Sequence, residues 1–148
     1  MTNNAHAAYL ESTILTAQPT ELIRILYNAA IGAVRDARGY LAEANIAARS
    51  KAITKAAEII AELNSSLDFE AGGELSLNLL KLYDYMQRRL LEANIQQSDQ
   101  ALAETLQLLH TLAEAWEATC PGEPPQQAPQ SYAYADAESE PVAKTWSL

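Results

Sequence analysis

Between Thr20 and Cys120 the chain contains no proline, and apolar residues recur through that stretch at alternating spacings of three and four. Both facts point to the same backbone. Proline breaks a helix interior, and apolar positions at i, i+3, i+4 and i+7 line one side of an α-helix. Ile23, Tyr27, Ala30, Val34, Ala37 and Leu41 obey the rule first, then Ile53, Ala56, Ile60, Leu63 and Leu67. Leu102, Leu106, Leu109, Ala113 and Trp116 obey it last.

The ends of these segments carry matching signals. Pro19 suits the first position of a helix, with Glu21 in the first turn, and that helix runs roughly to Glu43. A second begins near Asn45 and stops across Asp68 to Gly73. A third runs from about Glu74 to Ile95. Ser98 and Asp99 provide a cap and first turn for the fourth, which Cys120-Pro121-Gly122 ends. Four helices joined by links too short for parallel neighbours predict an all-α, antiparallel four-helix bundle over residues 19–120. Residues 1–18 have no sustained period and read as an N-terminal arm. Residues 121–148 hold five of the six prolines and read as a disordered, acidic, Pro-rich tail carrying Tyr132, Tyr134 and Trp146.

The net charge of −9 argues against nucleic acid, which needs clustered Lys and Arg to neutralise phosphate. No apolar run reaches the roughly 18–20 residues of a membrane span, so no membrane insertion is expected. The segment MTNNAHAAYL lacks the basic and apolar regions of a signal peptide. With one cysteine, Cys120, no internal disulfide can form. These features predict a cytosolic protein.

Catalytic chemistry finds no support. A bundle rich in carboxylates raises the question of a di-iron centre, but that chemistry uses paired Glu-x-x-His units. Gln107 stands three residues before His110, and His6 lies in the arm. His110 as a phosphoryl carrier has no nearby lysine to assist it. Cys120 has no Cys or His neighbour to lower its pKa. There is no Gly-rich phosphate loop or nucleophile elbow. No metal, cofactor or catalytic residue is expected.

The third helix holds the positive signal. Leu75, Leu79, Leu82, Met86, Leu90 and Ala93 form one stripe, read as core. Leu77, Leu80 and Leu91 fall nearly opposite, among Lys81, Asp84 and Arg88, with Asp84 and Arg88 at a favourable ion-pair spacing. A solvent-facing helix needs no second leucine row, so the row is a candidate groove for an amphipathic partner segment. Tyr83 is grouped with it. In the first helix Ile25 and Ile31 lie off the main stripe. Tyr9, Ile14 and Leu15 in the arm have no face of their own and must dock on the bundle, on a partner, or on each in turn. These nine residues are the expected partner-binding set.

Several blocks resemble the FliS family of flagellin-specific export chaperones. Tyr9 precedes Thr16-Ala17-Gln18-Pro19, which leads into Leu26-Tyr27-Asn28-Ala29-Ala30-Ile31. Leu63-Asn64-Ser65-Ser66-Leu67-Asp68 and Gly72-Gly73-Glu74 then precede Leu82-Tyr83-Asp84-Tyr85-Met86, Arg88-Arg89-Leu90 and Glu92-Ala93-Asn94, with Trp116 closing the last helix. Gln18 stands where the family usually has Ser, and Asn28-Ala29 where Asp-Gly is common. The resemblance spans about residues 9–118 and leaves the tail outside. It implies a cytosolic chaperone that binds the disordered C-terminal segment of flagellin, prevents its premature polymerisation and presents it to a flagellar type III export gate component. It also implies that the arm around Tyr9 and Ile14 covers the binding surface or docks at the gate. The alternative is a helical-bundle adaptor or regulator with a different client. The oligomeric state, a homodimer included, is left open.

Overall fold

The structure, a computed structural model, describes residues 19–119. These residues form the helices α1 (Pro19–Ala42), α2 (Ile46–Ser65), α3 (Phe69–Gly72), α4 (Glu74–Gln96) and α5 (Asp99–Thr119), with no strand among them. The four long helices match the expected segments closely. The short α3, a single turn, is additional. The expected arm and tail, with Tyr9, Ile14, Leu15 and Cys120, lie outside the described residues.

Two tight links close one pole of the bundle by the same device. After α1, Ala44 adopts a left-handed conformation (φ 59°), and the Asn45 N–H reaches back to the Tyr40 carbonyl at 2.9 Å. That contact satisfies a carbonyl that the helix end leaves open. Asn45 then caps α2, its Oδ1 accepting from the Ala48 N–H at 3.1 Å. After α4, Gln97 is left-handed (φ 53°), and the Ser98 N–H donates to the Ala93 carbonyl at 3.1 Å. Ser98 Oγ caps α5 by accepting from the Ala101 N–H at 3.1 Å. Neither turn uses glycine, so each carries a strain of roughly 1–2 kcal/mol that the flanking helices must offset.

At the other pole the glycine pair has a geometric cause. Asp68 Oδ1 accepts from the Glu70 and Ala71 N–H groups and so starts α3. The buried Ser76 hydroxyl donates to the Asp68 carbonyl at 2.9 Å, folding this turn against the start of α4. A Cβ on Gly72 would stand 2.1 Å from Ser76 Oγ, and Gly73 has φ +53°. One glycine admits the close approach, and the other the backbone conformation.

α1 packs against α2 and α5, and α4 packs against the same two, so α1 and α4 occupy diagonal corners. The short links make α1–α2 and α4–α5 antiparallel, and cross-helix contacts show the same for the other two pairs. Arg24 at the start of α1 pairs with Glu117 near the end of α5, and Arg38 near the end of α1 pairs with Asp99 at the start of α5. Arg49 of α2 meets Asn94 of α4, whereas the Ala57 carbonyl meets Gln87. The core combines large side chains (Ile60, Leu63, Met86, Leu90, Leu102, Leu109) with small ones on α1 and α2 (Ala30, Ala37, Ala56) that let the helices approach closely. Leu75, expected in the core stripe, is 64% exposed because it stands in the first turn of α4, at the end of the bundle.

Across the diagonal, the Tyr27 and Tyr83 hydroxyls meet at 2.7 Å inside the core. Burial raises the pKa of both phenols, and the shared hydrogen bond raises that of Tyr83 further. Both therefore stay neutral, as a buried pair should. The seam between α4 and α5 is ionic instead. Glu104 accepts from the Tyr85 hydroxyl at 2.8 Å and from Arg89 Nε at 2.6 Å, and these bonds hold its carboxyl below the usual range. Arg38 does the same for Asp99 through two hydrogen bonds of 2.8 and 2.9 Å.

Tyr27→Phe leaves the Tyr83 hydroxyl buried without its partner and lowers stability by about 1–3 kcal/mol. The Tyr27→Phe/Tyr83→Phe double variant loses less than the two single losses added together, as urea unfolding measures. A carboxylate with a depressed folded-state pKa contributes stability that is present above its unfolded value, about pH 4, and lost as pH falls through the folded value. The urea midpoint therefore declines below about pH 4, and Glu104→Gln makes that decline shallower; an identical pH profile in the variant refutes the assignment.

Candidate functional site

The rotation of α4 decides which of its residues a partner can reach. Ser76, Tyr83 and Leu90 lie one heptad apart and face the core together with Met86 and Ala93. The opposite side presents a row at spacings of three and four: Leu77, Leu80, Asp84, Gln87, Leu91 and Ile95. Leu77 is 50% exposed, Leu91 61% and Ile95 70%, while Leu80 is half-buried. Lys81 and Arg88 flank the row and are exposed. Neither makes an ion pair among the described residues, so the Asp84–Arg88 pair suggested by spacing is not formed.

Beside this row the seam between α2 and α4 opens into a groove of 380 Å³. Ile53, Ala57 and Leu90 contribute to its lining, with Thr54 and Ala61 on α2 and Leu91 on α4. Small α2 side chains leave the space, and hydrogen bonds hold the helices together around it. Gln87 Nε2 donates to the Ala57 carbonyl at 2.8 Å. Toward the pole of the tight links, the buried Arg49 donates to Asn94 Oδ1 and to the Asn94 carbonyl, each at 3.2 Å, and Ser50 Oγ donates to Asn94 Oδ1 at 3.0 Å. Asn64, one turn beyond Ile60 on α2, has a buried Oδ1 with no hydrogen-bond partner among the described residues. An unpaired buried acceptor costs free energy until a donor reaches it.

The nine residues expected to bind a partner are not one surface. Leu77 and Leu91 are exposed on a single row with the half-buried Leu80. Ile25 is half-buried on α1. Tyr9, Ile14 and Leu15 lie outside the described residues. Two expectations need correction. Ile31 is 6% exposed, because Arg24 and Arg38, one heptad to either side, are both held to α5, which covers the residue between them. Tyr83 is 3% exposed and spends its hydroxyl on Tyr27, so it supports the fold from within. Ile95 was missed, although continuing the spacing four residues beyond Leu91 reaches it. Phe69 and Ile46 are likewise exposed, at opposite poles.

Nothing in this region resembles a reaction centre. Among the described residues no three His, Cys, Asp or Glu side chains stand close enough to hold a metal ion. His110 lies 3.4 Å from the Arg35 guanidinium. Among the raised phenols, Tyr27 and Tyr83 are buried structural groups and Tyr85 is bonded to Glu104, and the lowered carboxylates are partners of arginine. No helix among the described residues is long and apolar enough to cross a membrane. The arrangement offers apolar contact area, two flanking cations and a groove.

Comparison with known proteins agrees with this description. The model of the family described as flagellar protein FliS matches residues 1–123. The flagellar secretion chaperone FliS of Salmonella typhimurium is 42% identical over 113 residues, covering 76% of this chain and 84% of that protein. Its namesake in Bacillus subtilis is 34% identical over 113 residues, with the same coverage of 76% and 84%. That of Escherichia coli is 34% identical over 108 residues, covering 72% and 79%. The chain belongs to the flagellar protein FliS family, whose matched members are secretion chaperones and not enzymes.

Proposed function

We propose that this protein is a cytosolic export chaperone for flagellin. It binds the disordered C-terminal segment of flagellin along the outer row of α4 and the adjoining α2–α4 groove. Holding that segment keeps flagellin from polymerising early, and the complex is delivered to a component of the flagellar export gate. The observation that carries the reading is the row itself: Leu77, Leu91 and Ile95 at helical spacing, exposed on a folded bundle. A client that orders on binding loses conformational entropy and needs extended apolar contact to offset it. A row running most of the length of α4 supplies such contact. Lys81 and Arg88 limit the direction of approach.

Leu77 and Leu91 are the informative positions because changing them removes little buried packing. Leu77→Asp and Leu91→Asp should keep the wild-type unfolding free energy in urea to within about 0.5 kcal/mol. Each should weaken binding of a flagellin C-terminal peptide by at least about tenfold, measured by calorimetry, which is about 1.4 kcal/mol. Ile31→Asp, in contrast, should unfold the bundle. A folded Leu77→Asp/Leu91→Asp variant that binds like wild type removes the row from the binding surface. Equal binding of flagellin with and without its C-terminal segment moves the contact elsewhere on flagellin, and binding of neither form assigns a different client.

A further inference from the structure

The family match stops at residue 123 and leaves the remaining residues without a role. Their sequence is ordered in one respect. From Ser131 to Glu140, SYAYADAESE, large and small residues alternate strictly. Drawn out as an extended chain, this segment projects Tyr132, Tyr134, Asp136, Glu138 and Glu140 to one side and only Ser and Ala to the other. One edge therefore carries two aromatic rings followed by three carboxylates.

The outer face of α4 offers the complement in the same order. From its N-terminal end it presents Leu77 and Leu80, then Lys81 and Arg88. Lys81 and Arg88 stand about 10 Å apart along the helix, and Asp136 to Glu140 spans about 13 Å in an extended chain. Asp84 is the acid on this stretch, and the two cations flank it. Residues 121–148 carry four acids against one lysine. The arm at residues 1–18 has Glu11 as its only acid, so it brings no matching charge.

The chain also leaves the bundle in the right place. Trp116 Nε1 donates to the Thr20 carbonyl at 3.2 Å, and Glu117 pairs with Arg24, which places the end of α5 at the pole where α1 begins. The antiparallel α4–α5 seam brings that end level with the start of α4, beside Leu75 and Leu77. An extended Pro-rich stretch advances about 3.1 Å per residue. Residues 120–131 thus supply more than enough length to bring Tyr132 to Leu77.

We infer that residues 131–140 dock on the outer face of α4 of the same chain, Tyr132 and Tyr134 against Leu77 and Leu80, and Asp136 to Glu140 along Lys81 and Arg88. This tail is a built-in competitor for the row. The competition rests on the flagellin reading above; the docking does not.

A nitroxide on Ala137→Cys, on the small-residue side of the segment, tests the docking in the full chain with Cys120→Ser. Methyl signals of Leu77 and Leu80 should broaden, that of Ile46 at the far pole should not, and Tyr132→Ser/Tyr134→Ser should abolish the effect. Broadening that is uniform, centred on another face, unchanged by the tyrosine substitutions, or transferred to unlabelled chains in a mixture overturns it; transfer between chains identifies a dimer instead. In a second measurement, a chain ending at Glu123 should bind the flagellin C-terminal peptide several-fold more tightly than the full chain. Equal affinity overturns the competition. If the peptide binds neither chain, the client reading fails while the broadening result still decides the docking.

Discussion

Two phenol hydroxyls, hydrogen-bonded at 2.7 Å across the diagonal of the bundle, set the orientation on which the rest of this molecule depends. Such a pair tolerates little rotation of either helix, because a displaced hydroxyl would be buried without a partner. With Tyr83 turned inward, Met86 and Leu90 enter the core beside it. Leu77, Leu91 and Ile95 are then necessarily outside. The apolar face of α4 is thus a consequence of how the core is specified.

The four seams of the bundle are closed by different means. Ion pairs bind α1 to α5 at both ends, and Arg89 and Tyr85 converge on Glu104 between α4 and α5. Small residues and apolar packing join α1 to α2. The seam between α2 and α4 relies on hydrogen bonds to the Ala57 carbonyl and to Asn94, and space remains between them. Exposed ion pairs are worth little individually, yet they occupy the surface on which they lie. A seam without them stays available for apolar contact. The α2–α4 side of the bundle combines an absence of ion pairs among the described residues with open space.

Much of this was legible in the chain. Helix spans followed from the three-four spacing, and their limits from Pro19, Asn45, Ser98 and the glycine pair, since these signals are local and act through the backbone. The core stripe of α4 was legible only in part. Leu75 has the right angular position but stands in a terminal turn, and periodicity does not record how far a neighbouring helix extends. Ile31 looked spare because a single-helix wheel cannot show that α5 is held against that side by arginines a heptad away on each flank. Tyr83 looked like a surface aromatic because its partner, Tyr27, is distant in sequence. Leu77 and Leu91, by contrast, were recognisable as surplus to one buried face, and both are exposed.

The close contact of Trp116 with Thr20 has a further implication for connectivity. The first and last turns of the helical body are neighbours, and the opposite pole is sealed by short links at Ala44 and Gln97. Topologically the bundle is a ring of four helices opened between α5 and α1, and the position of that opening is not dictated by the core. A peptide linker joining Thr119 to Pro19, with new termini cut between Gln97 and Ser98, would keep every interhelical contact and relieve the left-handed strain at Gln97. Circular permutation of this kind is tolerated where termini lie close together. It would also move both chain ends to the pole remote from Leu77, separating the stability of the bundle from whatever its natural extensions do.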